Sequence, residues 1–395
     1  MTGIVGASTF RADLGDVAGA LDALDHLVLV ADAPEAQVVV FRAAEEGGEI
    51  LARRGGVIAR ATLTGAQASG GMMVERAGIQ PLVERTYLDL DPITIDYVAE
   101  LTGGSAATFG VVGECRPVSI MAEEGAGDAP ARPVTEEPVT LSGPAFTCAA
   151  NAAISAPTRN FPEGSEDDVT VCVADGAVEF AASDLQRHAR GGAAVRPSRA
   201  AEWTGRLPLA LLRALTYVLP DAPVTLGMAY GGQERVMVIS CGWLSVEVAQ
   251  PEVEDVQGDV VGSGHTGDAP RITWRRRFLV DEVRRLVQTG ADLVAVDVRA
   301  RRMVTIGSVA RAGRVPEVPS ALGEEADAAL VGRRFLYLAD AFLWALRQID
   351  PGSEWVTLHI TSDGAEAVVT AAGCSLDDPT VSKFGITSVP GVCAM

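Results

Sequence analysis

Four histidines, His26, His188, His265 and His359, are the side chains of this 395-residue chain best suited to proton transfer or metal ligation near neutral pH, and they stand far apart. None lies in an H-E-x-x-H pattern or at another spacing that puts two imidazoles on one metal ion. The six cysteines, Cys115, Cys148, Cys172, Cys241, Cys374 and Cys393, are equally scattered. Without a C-x-x-C pair they read as small core residues in a reducing compartment. The one glycine-rich run, residues 262–267, lacks the P-loop lysine and opens no helix, so it reads as a joint rather than a phosphate cradle. A G-x-S-x-G nucleophile elbow is absent. No catalytic residue, metal ligand or cofactor is therefore assigned, and a non-catalytic protein is expected. The alternative is an enzyme whose site the fold assembles from residues distant in sequence.

The elements that would position any site recur. Three stretches, 1–121, 139–250 and 271–395, repeat one plan of amphipathic helix, strand hairpin, second helix and closing strands, as tandem units do when each packs on its neighbour. The second copy is clearest: a helix over 145–156, strands over 169–173 and 177–182 joined by Asp175-Gly176, a helix over 207–219, then strands over 224–229, 235–240 and 243–249. Asp-Gly between β-rich runs supplies the positive φ angles of a tight hairpin. In the third copy a helix over 275–288 places Leu279, Val280, Val283, Leu286 and Val287 on one side and Arg277, Asp281, Arg284 and Arg285 on the other. A second helix over 333–349 carries Phe335, Leu338, Phe342, Leu346 and Ile349 in one stripe. Strands over 356–361 and 365–371 follow, joined by Asp363-Gly364. In the first copy a helix over 14–27, a strand region over 29–43, a second helix over 93–101 and strands over 108–112 and 118–122 fill the same plan.

Length agrees, because single cores stop growing near ~250–300 residues. Residues 122–138 and 251–270 read as linkers, and 312–329 as a long loop within the third copy. No run reaches the ~18 apolar residues of a membrane span, and a soluble intracellular protein with no membrane partner is expected. One lysine, Lys383, stands beside thirty-one arginines, a bias attributed to a GC-rich genome. The formal net charge is −20, divided as −8 over residues 1–121, −12 over 122–270 and zero over 271–395. Such acidity excludes a protein that coats nucleic acid non-specifically, but not one that passes DNA through a locally basic channel.

Two segments carry a family likeness. Residues 178–187, V-E-F-A-A-S-D-L-Q-R, are similar to the strand ending in A-T-D-G-H-R-L in the middle domain of the bacterial DNA polymerase III β subunit, the sliding clamp. Ser183, Asp184 and Arg187 match by type or identity, whereas Leu185, Gln186 and His188 depart. Residues 384–392 resemble that family's closing strand and Met-Pro-Met-type tail, keeping Pro390 and losing both methionines. The chain thus resembles a divergent sliding clamp over most of its length. The resemblance implies an α+β fold of three tandem DNA-clamp domains, helices lining an inner face and antiparallel sheets outside. It further implies a homodimeric ring that encircles duplex DNA without sequence preference, in a cytoplasmic, nucleoid-associated setting.

If the polar helix faces line the hole, Arg275, Arg276, Arg277, Arg284 and Arg285 would meet phosphate, with Arg206, Arg213, Arg334 and Arg347 beside them. Against this, Asp13, Asp16, Asp22 and Asp25 on the first helix would repel it. By resemblance, short linear peptides of a clamp loader, a DNA polymerase or repair proteins would enter a groove walled by Ser183, Asp184, Arg187, His188, Val389, Pro390 and Val392. The lost Gly-His-Arg-Leu spacing and both lost methionines imply a peptide preference that is changed, or lost. The rival reading is a clamp-fold scaffold that serves protein partners and encircles no DNA.

Overall fold

Five α-helices form among the described residues, each burying an apolar stripe of helical period. The computed structural model describes residues 8–28, 38–75, 98–103, 106–111, 118–124, 132–156, 168–184, 186–197, 201–219, 222–231, 234–251, 269–309, 320–322, 325–361 and 365–389. Helix α1 (Leu14–Val28) buries Leu14, Val17, Leu21, Leu24 and Val28. Its start is fixed by Asp13, whose Oδ1 accepts the backbone N–H of Gly15 at 2.8 Å and of Asp16 at 3.2 Å, an N-cap. Helices α2 (Gly143–Ile154), α3 (Leu209–Val218), α4 (Arg276–Gln288) and α5 (Ala339–Gln348) follow. None is long and apolar enough to cross a membrane.

The chain divides into two compact units, and the expected middle copy contributes to both. The first unit comprises Met1–Gly143, Arg196–Ala201 and Ala210–Glu252. Its strands form one fourteen-stranded sheet in the order Arg196–Pro197, Thr135–Leu141, Val224–Gly231, Glu234–Cys241, Leu244–Ala249, Val57–Leu63, Gly47–Arg54, Val38–Ala44, Gly71–Glu75, Val118–Glu124, Ala106–Val111, Val98–Gly103, Ser8–Asp13 and Gln67–Ser69. The middle and first copies are sewn together where Leu244 to Val248 pairs antiparallel with Ala61 to Val57. Helix α1 lies on the strands of Gly47–Arg54 and Val57–Leu63, and Phe10 meets Phe41 edge-on at 5.1 Å beside it.

The second unit comprises Pro144–Val195, Glu202–Leu209 and Val253–Met395. Its nine-stranded sheet runs Trp203–Pro208, Asp168–Ala174, Ala177–Ser183, Arg187–Ala194, Lys383–Thr387, Glu366–Ala371, Trp355–Ile360, Arg271–Arg275 and Glu325–Ala326. A second sheet runs Ser320–Leu322, Val304–Val309, Leu293–Val298 and Arg334–Leu338. Helices α4 and α5 pack on each other, and Leu279, Val283, Leu286, Phe342, Ala345 and Leu346 join one core with Trp274, Val294, Val296 and Tyr337. The Asp175-Gly176 turn is as expected, with φ of 51° and 74° and Ala174 facing Ala177.

Five expectations about elements need correction. The loop over 312–329 holds strands Ser320–Leu322 and Glu325–Ala326 and a 3-10 turn at Ala328–Leu330. The helix over 333–349 is a strand, Arg334–Leu338, followed by the shorter α5, because the unbroken apolar run Phe335 to Leu338 satisfies a buried strand as well as a helical stripe. The helix over 207–219 likewise begins at Leu209, after a strand whose alternate residues Trp203, Gly205 and Leu207 are buried. In the first copy Val98–Gly103 is a strand paired with Ser8–Asp13, not the end of a helix over 93–101; residues 93–97 lie outside the described residues. The linker 122–138 is strand at both ends, in Val118–Glu124 and Thr135–Leu141. Most of 251–270, 310–319 and the Asp363-Gly364 turn lie outside the described residues.

One buried ionic cluster marks the first unit. Arg60 is fully buried, and its Nε and Nη2 donate to the two carboxylate oxygens of Glu247 at 2.5 and 3.3 Å. Its Nη1 lies 3.5 Å from Glu49 Oε2, which also accepts from Arg42 Nε at 2.7 Å. Both carboxylates are 4% exposed. A bidentate guanidinium–carboxylate pair suits such a site, since each charge taken from water needs a partner of fixed geometry.

Candidate functional site

The residues expected to wall a peptide groove fall on a strand end, a tight turn and the closing strand of the second unit. After Ala177–Ser183 the chain reverses, and Asp184 holds the reversal: its Oδ1 accepts the N–H of Gln186 at 2.8 Å and of Arg187 at 2.7 Å, while its own N–H donates to Arg187 O at 2.7 Å. This is the local capping that a short carboxylate does best. Ser183 is exposed and faces His188 across the hairpin. The closing strand enters beside the turn, Arg187 opposite Ile386 and His188 opposite Gly385, and Thr387 N–H donates to Gln186 O at 3.1 Å. The tail continues to Val389, whose N–H donates to Leu336 O at 2.9 Å. Of the seven expected groove residues, Ser183, Asp184, Arg187 and His188 stand on one hairpin turn, and Val389 lies two residues beyond the closing strand that pairs with it. Pro390 and Val392 lie outside the described residues.

Two features of this site were not read from the sequence. The Arg187 guanidinium lies over the Trp344 ring, 5.5 Å from its centroid, and Trp344 is fixed by its Nε1–H donating to Ser155 O at 2.8 Å and by an edge contact to Phe384 at 6.0 Å. An aromatic face under a guanidinium restrains the cation without neutralising it. Trp344 sits within an otherwise apolar stripe on α5, so only its lone indole N–H hinted at a role. The second feature is His188 itself, which is buried with its ring occupying the space that a Cβ on Gly385 would take. It therefore packs the sheet instead of offering a polar tip to solvent.

The cationic candidates fall into three groups. On helix faces, Arg277, Arg284 and Arg285 of α4, Arg213 of α3 and Arg347 of α5 are exposed. Arg284 lies 3.3 Å from Asp281, and Arg285 is 2.5 Å from Glu282, whose hydrogen bond and charge raise the guanidinium's already high pKa. At the start of α4, Arg275 lies over Trp355 at 5.2 Å and Arg276 is half-buried. In strands, Arg206 is half-buried, and Arg334 Nε is 3.3 Å from Asp297, a carboxylate that is 7% exposed. The helix-face argument does not reach these last two, because neither stands on a helix. Against the arginines, α1 turns Asp16 and Asp22 outward, with His26 3.8 Å from Asp22 and 5.1 Å from the Tyr217 ring of α3.

No family model matches the sequence, and no curated protein aligns with it significantly. Solved structures do match. The DNA polymerase sliding clamp of Bacillus subtilis superposes with a TM-score of 0.70 at 11% identity, covering 98% of this chain and all of that one. The DNA polymerase III β subunit of Pseudomonas aeruginosa gives 0.69 at 12% identity over 96% of this chain and 99% of its own. The β subunit of Streptococcus pyogenes gives 0.67 at 12%, with the same coverage. From end to end, at only 11–12% identity, this chain has the α+β fold of bacterial DNA polymerase III β subunits, the sliding clamps, as the likeness of residues 178–187 and 384–392 led one to expect.

Proposed function

We propose that this protein is a non-catalytic sliding-clamp-like tether: two copies close into a ring around duplex DNA, and partners with short linear peptides dock at the turn and tail of the second unit. The clamp fold spanning 96–98% of the chain carries the reading. In a ring the hold on DNA is topological, so few phosphate contacts suffice. The exposed Arg277 on α4, with Arg284, Arg285, Arg213 and Arg347, supplies sequence-independent ones. The three domains proposed are residues 1–121, 139–250 and 271–395. The peptide site is Ser183, Asp184 and Arg187 with the tail from Val389, and Trp344 steadies Arg187.

Loading by the host's clamp loader onto a nicked circular plasmid, then gel filtration at 0.5 M salt, tests this. The expected result is co-elution with the circle and loss after the plasmid is linearised. A protein that is monomeric at micromolar concentration by light scattering, and is not retained on circles, overturns it. The exposed acids of α1 favour one rival, a scaffold that binds peptides without DNA. That rival predicts peptide binding abolished by Arg187→Ala together with no retention on any DNA.

A further inference from the structure

One end of the four-stranded sheet gathers arginines in a chain of net charge −20. The turn between Leu293–Val298 and Val304–Val309 is closed by Arg299 N–H donating to Met303 O at 2.7 Å, and every residue from 299 to 303 is exposed. Arg301 and Arg302 hold φ of 63° and 61°, left-handed conformations that bulky L-residues rarely adopt and that tight hairpins normally assign to Asn and Gly. On the other side of the same strand end, Gly332 N–H donates to Val298 O and Val298 N–H to Arg333 O. Val331 and Arg333 are thereby set beside the turn. Met303 is 52% exposed and Val331 42%. Residues 299–303 and 331–333 contain no acid, in a chain of net charge −20.

We propose that this sheet end, with Arg299, Arg301, Arg302, Met303, Val331 and Arg333, is a docking surface for an acidic peptide segment that carries apolar side chains. The proposal does not depend on ring formation and concerns a surface separate from the Asp184 turn. Two neighbouring strained arginines where the local chemistry asks for Asn-Gly indicate that the cations are kept for something other than the hairpin. Arginine forks match carboxylates bidentately, and methionine offers an adaptable apolar contact. A nucleic-acid backbone has no use for the two aliphatic side chains, and no aromatic ring stands in these eight residues to stack on bases. Two apolar side chains are also too few to anchor in a lipid surface.

The test is fluorescence anisotropy of the full-length protein with a labelled ten-residue peptide of glutamates and two leucines. The same peptide with serines for leucines, a 20-base-pair duplex and phosphatidylserine vesicles serve as competitors. The leucine peptide should bind, and the double variant Arg301→Asn, Arg302→Gly should weaken it about tenfold or more, as losing two charge-assisted contacts does. That variant should keep the parent's folded circular dichroism spectrum, because it gives the hairpin its preferred residues. Met303→Ser should weaken the leucine peptide severalfold and leave the serine peptide unchanged. Equal binding to parent and double variant, or displacement of the peptide by duplex or vesicles in preference to unlabelled peptide, overturns the proposal.

Discussion

Arg60 offers the sharpest test of how the first unit is held together. Replacing it by methionine keeps the volume but leaves Glu247, 4% exposed, without the guanidinium that meets both its oxygens. Glu49 retains Arg42 at 2.7 Å, so the damage centres on Glu247 and the pairing of Leu244–Ala249 with Val57–Leu63. Breaking a buried pair by removing one partner costs about 3–5 kcal/mol. In a unit of this size that lowers Tm by roughly 6–20 °C. The double variant Arg60→Met, Glu247→Met removes both charges, and such replacements are usually neutral or stabilising. Urea titration followed by circular dichroism should therefore give a large loss for the single variant and recovery of most of it in the double, at equal m-values. If the double variant is no more stable than the single, the uncompensated carboxylate is not the cause, and the reasoning fails.

Other outcomes follow from the same geometry. A Cβ on Gly192 would collide with the backbone carbonyl of Pro379, which cannot move aside like a side-chain tip, so Gly192→Ala should cost about 1–3 kcal/mol in denaturant unfolding. Burial raises the thiol pKa of Cys172 and Cys241, which leaves less reactive thiolate at a given pH, while Cys148 is exposed on α2. Iodoacetamide at pH 8 with peptide mass mapping should modify Cys148 before Cys172 and Cys241, and equal rates at these three would contradict the burial. For a loaded ring, Arg277→Ala should lower the salt slope of DNA binding by about one, whereas Arg284→Ala, already paired with Asp281, should change it less.

What was legible in the sequence was local. The Asp175-Gly176 hairpin and the apolar stripe of α4 came through because turn chemistry and helical period are written in consecutive residues. The strand Arg334–Leu338 did not, because Phe335, Leu336 and Tyr337 are all buried between neighbours and a continuous apolar run has no period of its own. The alternation of Trp203, Gly205 and Leu207 is a strand signal in consecutive residues, but it runs straight into the apolar start of α3, whose helical period masks it. Residues 178–187 stood out by family likeness, but the turn that Asp184 holds did not, and the seating of Arg187 on Trp344 joins positions more than 150 apart. Arg60, Glu49 and Glu247 look like ordinary surface residues until the strands that carry them are paired.

That long-range pairing also governs how the chain emerges during synthesis. Strand Val57–Leu63 must wait for Leu244–Ala249, and Arg187–Ala194 for Lys383–Thr387, before either edge is covered. At ribosomal speeds of ~5–20 residues per second, each wait across nearly two hundred residues lasts roughly 10–40 seconds. A nascent polypeptide in that interval displays bare β-edges on which other chains can nucleate, so chaperone supply and translation rate, as much as codon choice, should set the yield of folded material.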